Sequence, residues 1–160
     1  MIEAIKENDI PACVELIRES FGTVAEQFGI AAENAPRFTA FATTEGRLLR
    51  QFAEERRPMY AFRDGSSIVG YYSLLLKSSE ECELNSLCVS PACRHRGIGK
   101  ELLLHAFSAA TALGCSRMSI GIVEENSVLR SWYESFGFIH AGTKNFDFFP
   151  FTCGYMEKEL

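Results

Sequence analysis

The 160-residue chain has no apolar run approaching ~18 residues, so no membrane-spanning helix is expected. Its opening residues, MIEAIKEND, are charged and hold no long apolar stretch, so no secretory signal is expected either. Cys13, Cys82, Cys88, Cys93, Cys115 and Cys153 include no C-x-x-C pair, and only 3 histidines accompany them. That argues against a zinc site, and no metal is expected; the cysteines read as small, reduced core hydrophobes in a cytoplasmic protein. Positive charge is in deficit: Lys+Arg 16 against Asp+Glu 21 gives a net charge of −5. That balance excludes a general nucleic-acid or membrane-surface binder. There is no internal repeat, low-complexity segment or linker, so residues 1–160 form one domain.

What is present is an ordinary globular composition, 47% hydrophobic and 23% charged. Ile2 to Ile5 reads as a first strand. Asp9 is placed as the cap of a helix with Pro11 in its first turn, Ile10, Val14, Ile17 and Phe21 inward, and Gly22 at its end. Thr43 or Thr44 caps a second helix reaching Arg57. From Met59 the period changes to two. Strands over 59–63 and 68–77 flank an Asp64-Gly65 turn, and a further strand covers Cys82 to Val89. Simple alternation there puts Cys82, Leu84, Ser86 and Cys88 on one side, and Glu83, Asn85, Leu87 and Val89 on the other. A helix from Ile98 to Leu113 stops at Gly114. A strand over 117–123, a helix from Asn126 or Ser127 through Ser135, and strands over 138–144 and 153–158 complete the chain. Helix-crossed and hairpin-linked strands together imply an α/β (α+β) fold with a mixed sheet.

The most informative stretch is Arg94-His95-Arg96-Gly97-Ile98-Gly99, R-x-x-G-x-G, between a strand and a helix. At a helix start the first N–H groups lack partners and the dipole favours an anion; glycines let backbone approach a ligand closely. Arg94, Arg96 and Lys100 add a basic spot to an acidic chain. A dinucleotide fingerprint would need a third glycine, where Leu102 stands, and an acidic residue about 20 positions on; neither is there. No G-x-x-x-x-G-K-[S/T] run exists, which removes a nucleoside triphosphatase.

Three signals follow in order: L-x-V-x-P (Leu87, Val89, Pro91) running into the glycine turn, Asn126 seven residues before Tyr133, and Y-E-x-x-G-F from Tyr133 to Phe138. With them the sequence resembles the GNAT family of acetyl-CoA-dependent N-acetyltransferases, closely over residues 58–144 and in element order alone before that. The resemblance implies a mostly antiparallel seven-stranded sheet flanked by helices and splayed between the fourth and fifth strands. It implies acetyl-CoA as cofactor and a primary amine, of a small molecule or a protein, as acceptor, attacked directly in a ternary complex. Arg94, His95, Arg96, Gly97, Ile98, Gly99 and Lys100 would then wrap the pyrophosphate. Leu87, Cys88 and Val89 would bond the pantetheine through their backbones, with the Cys88 or Val89 N–H as oxyanion donor, and Asn126 would hold the same arm. Tyr133 would serve as general acid.

An alkyl amine of pKa ~10.4 is protonated at neutral pH and must lose a proton before it attacks. Glu83 is the first choice of base, with Glu124 and Glu125 as alternatives. Ile120-Gly121-Ile122 lacks the acidic residue that some members of the family carry in the fifth strand, which favours a water-relayed base. The acceptor wall is assigned to Phe28, Arg37 and Phe38 on one side and to Phe148 and Phe149 on the other. The plain reading of the phenylalanine-rich loop Asn145 to Phe151 is core closure or a homodimer contact. The acidic chain mildly favours a cationic acceptor, while Arg37 would suit pairing with an acidic acceptor group. The alternative to catalysis is a CoA-binding sensor or interaction module.

Overall fold

The computed structural model describes residues 1–160. In chain order it runs β1 (Ile2–Ala4), α1 (Ile10–Gln27), α2 (Thr39–Ala42), α3 (Glu45–Ala53), β2 (Met59–Asp64), β3 (Ser67–Leu76), β4 (Glu81–Val89), α4 (Ile98–Ala112), β5 (Arg117–Val123), α5 (Ser127–Glu134), β6 (Ile139–Asn145) and β7 (Thr152–Glu159). One sheet has the strand order β1-β2-β3-β4-β5-β7-β6, and every neighbouring pair is antiparallel except β4 and β5. That parallel pair arises because α4 carries the chain back across the sheet between the two strands. No helix is long and apolar enough to cross a membrane.

The sheet separates two apolar layers. On one face α4 lays Leu102, Leu103, Ala106 and Ala110 onto Tyr72, Leu74, Leu84, Met118, Ile120 and Met156, with Tyr133 and Phe138 completing the cluster. On the other, α1 places Cys13, Val14 and Ile17 against Met59, Ala61, Tyr71 and Cys88. Each large aliphatic buried this way stabilises the fold by roughly 1.5–3 kcal/mol. α4 comes close enough to β3 that a Cβ at Gly70 would stand 2.7 Å from Leu102 Cδ1 and 3.1 Å from Phe62 Cβ. Glycine at 70 therefore sets how near the glycine-turn helix sits to the sheet.

Three sequence expectations are corrected. α1 does not stop at Gly22 but runs to Gln27, since one glycine costs a helix only ~1 kcal/mol and Ala25 beyond it is buried. The strict alternation along β4 also fails. Tyr71 pairs with Cys88 but Ser73 pairs with Asn85, so β4 carries one extra residue between them, and Ser86 sits at φ 54. This β-bulge flips every later side chain. Cys82 and Leu84 join the α4 layer and Cys88 joins the α1 layer, while Leu87 and Val89 pack against the α4 layer, opposite the face of Glu83 and Asn85. The second helix, capped by Thr44 through Arg47 N at 3.1 Å, ends at Ala53 rather than Arg57, and the short α2 before it had no signal in the sequence.

Candidate active site

β4 and β5 pair only at Glu81–Glu83 against Arg117–Ser119. Beyond that the bulge turns β4 away, and its β5-facing edge from Leu84 to Val89 is left without a strand partner. The cleft so opened leads directly to the glycine turn. There His95 and Gly97 take positive φ angles of 62° and 82° and aim successive N–H groups outward. From Arg94 to Lys100 no backbone N–H meets an acceptor; the first helical bond is Glu101 N to Gly97 O, 3.1 Å. Arg94, His95, Arg96 and Lys100 are all exposed around this row of free donors, while Ile98 is buried and anchors it. A dianionic group fits the turn: charge, donors and helix dipole all favour it.

The arginines are not equivalent. Arg94 Nη2 donates to Ser20 O (3.1 Å) and Thr23 Oγ1 (2.9 Å), and Ser20 Oγ donates to Val89 O (2.7 Å). Arg94 thus ties α1 to the turn and to the end of β4. Arg96 faces Asp64 at 3.6 Å and is more than half exposed, which leaves it free to swing onto an anion.

Asn126 Oδ1 caps α5 by accepting from Leu129 N, 3.2 Å, and its Nδ2 makes no bond within the protein. The cap aims α5 so that Tyr133, 6% exposed, points inward among Trp132 and Phe138. The Tyr133 hydroxyl has no partner in the chain. Burial pushes its pKa above the usual phenol value, and the Cys88 thiol across the cleft adds to the rise. Tyr133 therefore holds its proton throughout the neutral range. Cys88 is likewise pushed up to about 12 by burial, so it is a packed thiol and not a nucleophile.

The carboxylates read as candidate bases lie in different settings. Glu83 is partly buried, 2.8 Å from Lys77 Nζ, and lines a cavity of about 280 Å³ together with Ser119, Ile120 and Tyr155. Glu124 is clamped by Arg130 Nη1 (2.7 Å) and His140 Nε2 (2.9 Å) and lies where a Cβ at Gly154 would otherwise stand. Burial works to raise the Glu125 pKa, but hydrogen bonds from Thr152 outweigh it and leave the group lowered. Tyr155 was not singled out from the sequence. Its ring stands 3.9 Å from the Cβ position of Gly121, so glycine in mid-strand was the available signal of a close approach.

The residues expected to form an acceptor wall lie together. Phe38 meets Phe151 edge-on at 5.6 Å, Phe28 and Phe149 border the same small core with Val123 of β5, and Arg37 lies 4.4 Å over the Phe148 ring. The connection after α1 and the β6–β7 loop thus roof the open end of the cleft. No group of three or more His, Cys, Asp or Glu side chains converges to hold a metal.

This geometry agrees with known proteins. An uncharacterized N-acetyltransferase of Bacillus subtilis (strain 168), YvbK, is 30% identical over 84 residues, 52% of this chain and 54% of that protein, so the match spans about half of its length. The PaiA N-acetyltransferase of Thermoplasma acidophilum, solved in complex with coenzyme A, superposes over 100% of this chain and 98% of its own at TM-score 0.85 and 23% identity. The ribosomal-protein-S18-alanine N-acetyltransferase of Escherichia coli superposes at TM-score 0.78 and 16% identity, covering 99% and 92%. At those identities the two structures speak for the fold. A family match extends further, over residues 14–138, and so includes the splayed strands, the glycine turn and Tyr133: the chain belongs to the acetyltransferase (GNAT) family.

Proposed function

We propose that this protein transfers acetyl from acetyl-CoA to a primary amine by direct attack within a ternary complex. The observation that carries the reading is a pair of free backbone runs, the N–H row of the turn at Arg94–Lys100 and the bare edge of β4, the second ending opposite the buried, protonated Tyr133. Acetyl-CoA, when bound, supplies an activated thioester carbon and a thiolate leaving group.

The chain's own residues do the rest. N–H groups from Arg94 to Lys100 hold the pyrophosphate, aided by Arg96 and Lys100. The β4 edge at Leu87–Val89 holds the pantetheine as an added strand would, and Asn126 Nδ2 donates to the same arm. The Cys88 or Val89 N–H stabilises charge developing on the carbonyl oxygen. Tyr133 gives its proton to the departing sulfur; that transfer is uphill, and the fixed geometry offsets part of the cost.

The amine loses its proton through water to Glu83, which shares the acceptor face with Tyr155. Glu83 has one cation partner, the half-exposed Lys77, whereas Glu124 is clamped by two side chains and Glu125 by the Thr152 N–H, which makes them poorer bases. Free-thiol release from acetyl-CoA across a panel of amines tests the reading. Amine-dependent release supports catalysis; acetyl-CoA binding without release from any amine would leave a cofactor-binding module instead.

A further inference from the structure

Beside the β4 bulge, on the face that carries α1 and α3, lies a second cavity of about 120 Å³. Its wall includes Arg37 from the chain before α2, Arg47 of α3, Arg57 before β2, Ser73 of β3, and Asn85 and Ser86 of β4, and no carboxylate. Arg57 is bonded to Glu55. Arg37 rests on Phe148, and neither it nor Arg47 has an ion-pair partner. Two unpaired guanidinium groups, with the paired Arg57 beside them, repel one another across one small space unless an anion lies between them.

One buried donor points the same way. Asn85 Nδ2, from the wall itself, has no hydrogen-bond partner. Buried donors are rarely left unmet, so it calls for an acceptor that is not part of the chain. The cavity holds roughly four water volumes, room for one anionic group and a few carbons but far short of an aminoglycoside.

We infer that this cavity seats an anionic group of the acceptor, so that the amine acetylated carries a carboxylate, phosphonate or phosphinate a few bonds from its nitrogen. The inference rests on the acetyltransferase reading above. Ser86 stands in the wall, and Leu87 and Cys88, which line the thioester's place, follow at ~3.3 Å per residue. An anion in the cavity therefore leaves an amine a few ångströms away facing the cleft. The arginine wall reverses the mild preference for a cationic acceptor that the chain's net charge suggests, because a local field outweighs a dispersed one.

The experiment compares thiol release with α-amino acids, β-alanine and aminomethylphosphonate against the matching carboxamides, methyl esters and decarboxylated amines, in the wild type and in Arg47→Gln and Arg37→Gln/Arg47→Gln variants. In parallel, calorimetry measures binding of N-acetyl-L-amino acids and of their amides, which needs no turnover. Expected are a kcat/KM at least tenfold higher for the anionic member of each pair, its loss in the variants through KM with kcat kept within about threefold, and unchanged acetyl-CoA affinity. Neutral or cationic amines reacting as well as their anionic partners overturn the inference and leave the acetyltransferase reading standing. Release from no amine overturns the acetyltransferase reading; N-acetyl-amino acids that then still bind tenfold tighter than their amides, with the preference lost in Arg47→Gln, support the anion site by itself.

Discussion

The two faces of the sheet are built in two different ways. On the α4 face one continuous apolar cluster supports the proposed donor site, which is made of backbone: the N–H groups after Arg94 and the edge of β4. On the α1 face the apolar core is divided in two, and polar side chains from distant segments fill the gap beside the bulge: Arg37, Arg47, Arg57, Ser73 and Asn85. Backbone donors are the same for any sequence that folds this way, so they suit a ligand shared by many proteins. Side chains can be exchanged without disturbing the fold, so they suit a partner particular to this one. The bulge at Ser86 serves both, since it bares the β4 edge on one side and admits Asn85 and Ser86 to the cavity on the other.

The largest effect should fall where the two sites meet. Tyr133→Phe is expected to lower kcat about 100-fold, within the range for loss of a positioned acid, with little change in acetyl-CoA affinity. Pre-steady-state thiol release checks it, and an unchanged rate would remove the acid role. Because burial raises the Tyr133 pKa, the proton is retained above the ordinary phenol value of 10.0. The wild-type rate should accordingly climb with pH as the amine deprotonates, with no fall near pH 10 from this group. A loss of rate near pH 10 that disappears in Tyr133→Phe would contradict the burial argument.

Gly70→Ala attacks the backbone-built side alone. A Cβ there must displace buried Leu102 and cannot displace Phe62 Cβ, so a cost of about 1–3 kcal/mol in urea unfolding is expected. Acetyl-CoA binding should weaken with it, because the start of α4 is pushed off the sheet. Thr44→Ala attacks the side-chain-built side alone. It removes the cap that accepts from Arg47 N, costs about 1 kcal/mol and loosens the turn that carries Arg47. Turnover of anionic amines should drop with acetyl-CoA affinity intact, and an equal loss for neutral amines would erase the distinction between the faces.

The smallest effect is expected at the bulge residue. Ser86→Gly relieves a left-handed φ of 54 that serine tolerates at a cost, so stability should rise by about 0.5–1 kcal/mol while the pocket loses one hydroxyl. A loss of stability measured by thermal unfolding would show that the Ser86 side chain, rather than its backbone, fixes the bulge.

Much of the proposed donor half rests on local spacing. The order of seven strands, the anion turn, the Asn126 cap and the inward Tyr133 all rest on residues within ten or so positions of one another. The proposed acceptor half does not. Arg37 and the phenylalanines were noticed, but Arg47, Arg57, Ser73, Asn85 and Tyr155 carry no local pattern that marks them. The face change in β4 was missed because nothing in Asn85-Ser86-Leu87 announces a bulge; a non-glycine residue at positive φ is held there by the pairing with β3 on either side. Gly22 was read as a stop because propensity is local, whereas the buried Ala25 that extends α1 is a tertiary contact.

The sequence by itself determined the fold class and marked the residues proposed as the donor site, because hydrophobic period, helix caps and a glycine turn act through neighbours along the chain. The tertiary structure alone decided which face each β4 residue meets, that Arg94 binds α1 as well as framing the turn, and that three arginines from separate segments surround one cavity. Those outcomes depend on register, on the splay of two strands and on residues dozens of positions apart, and such contacts exist only once the chain has closed on itself.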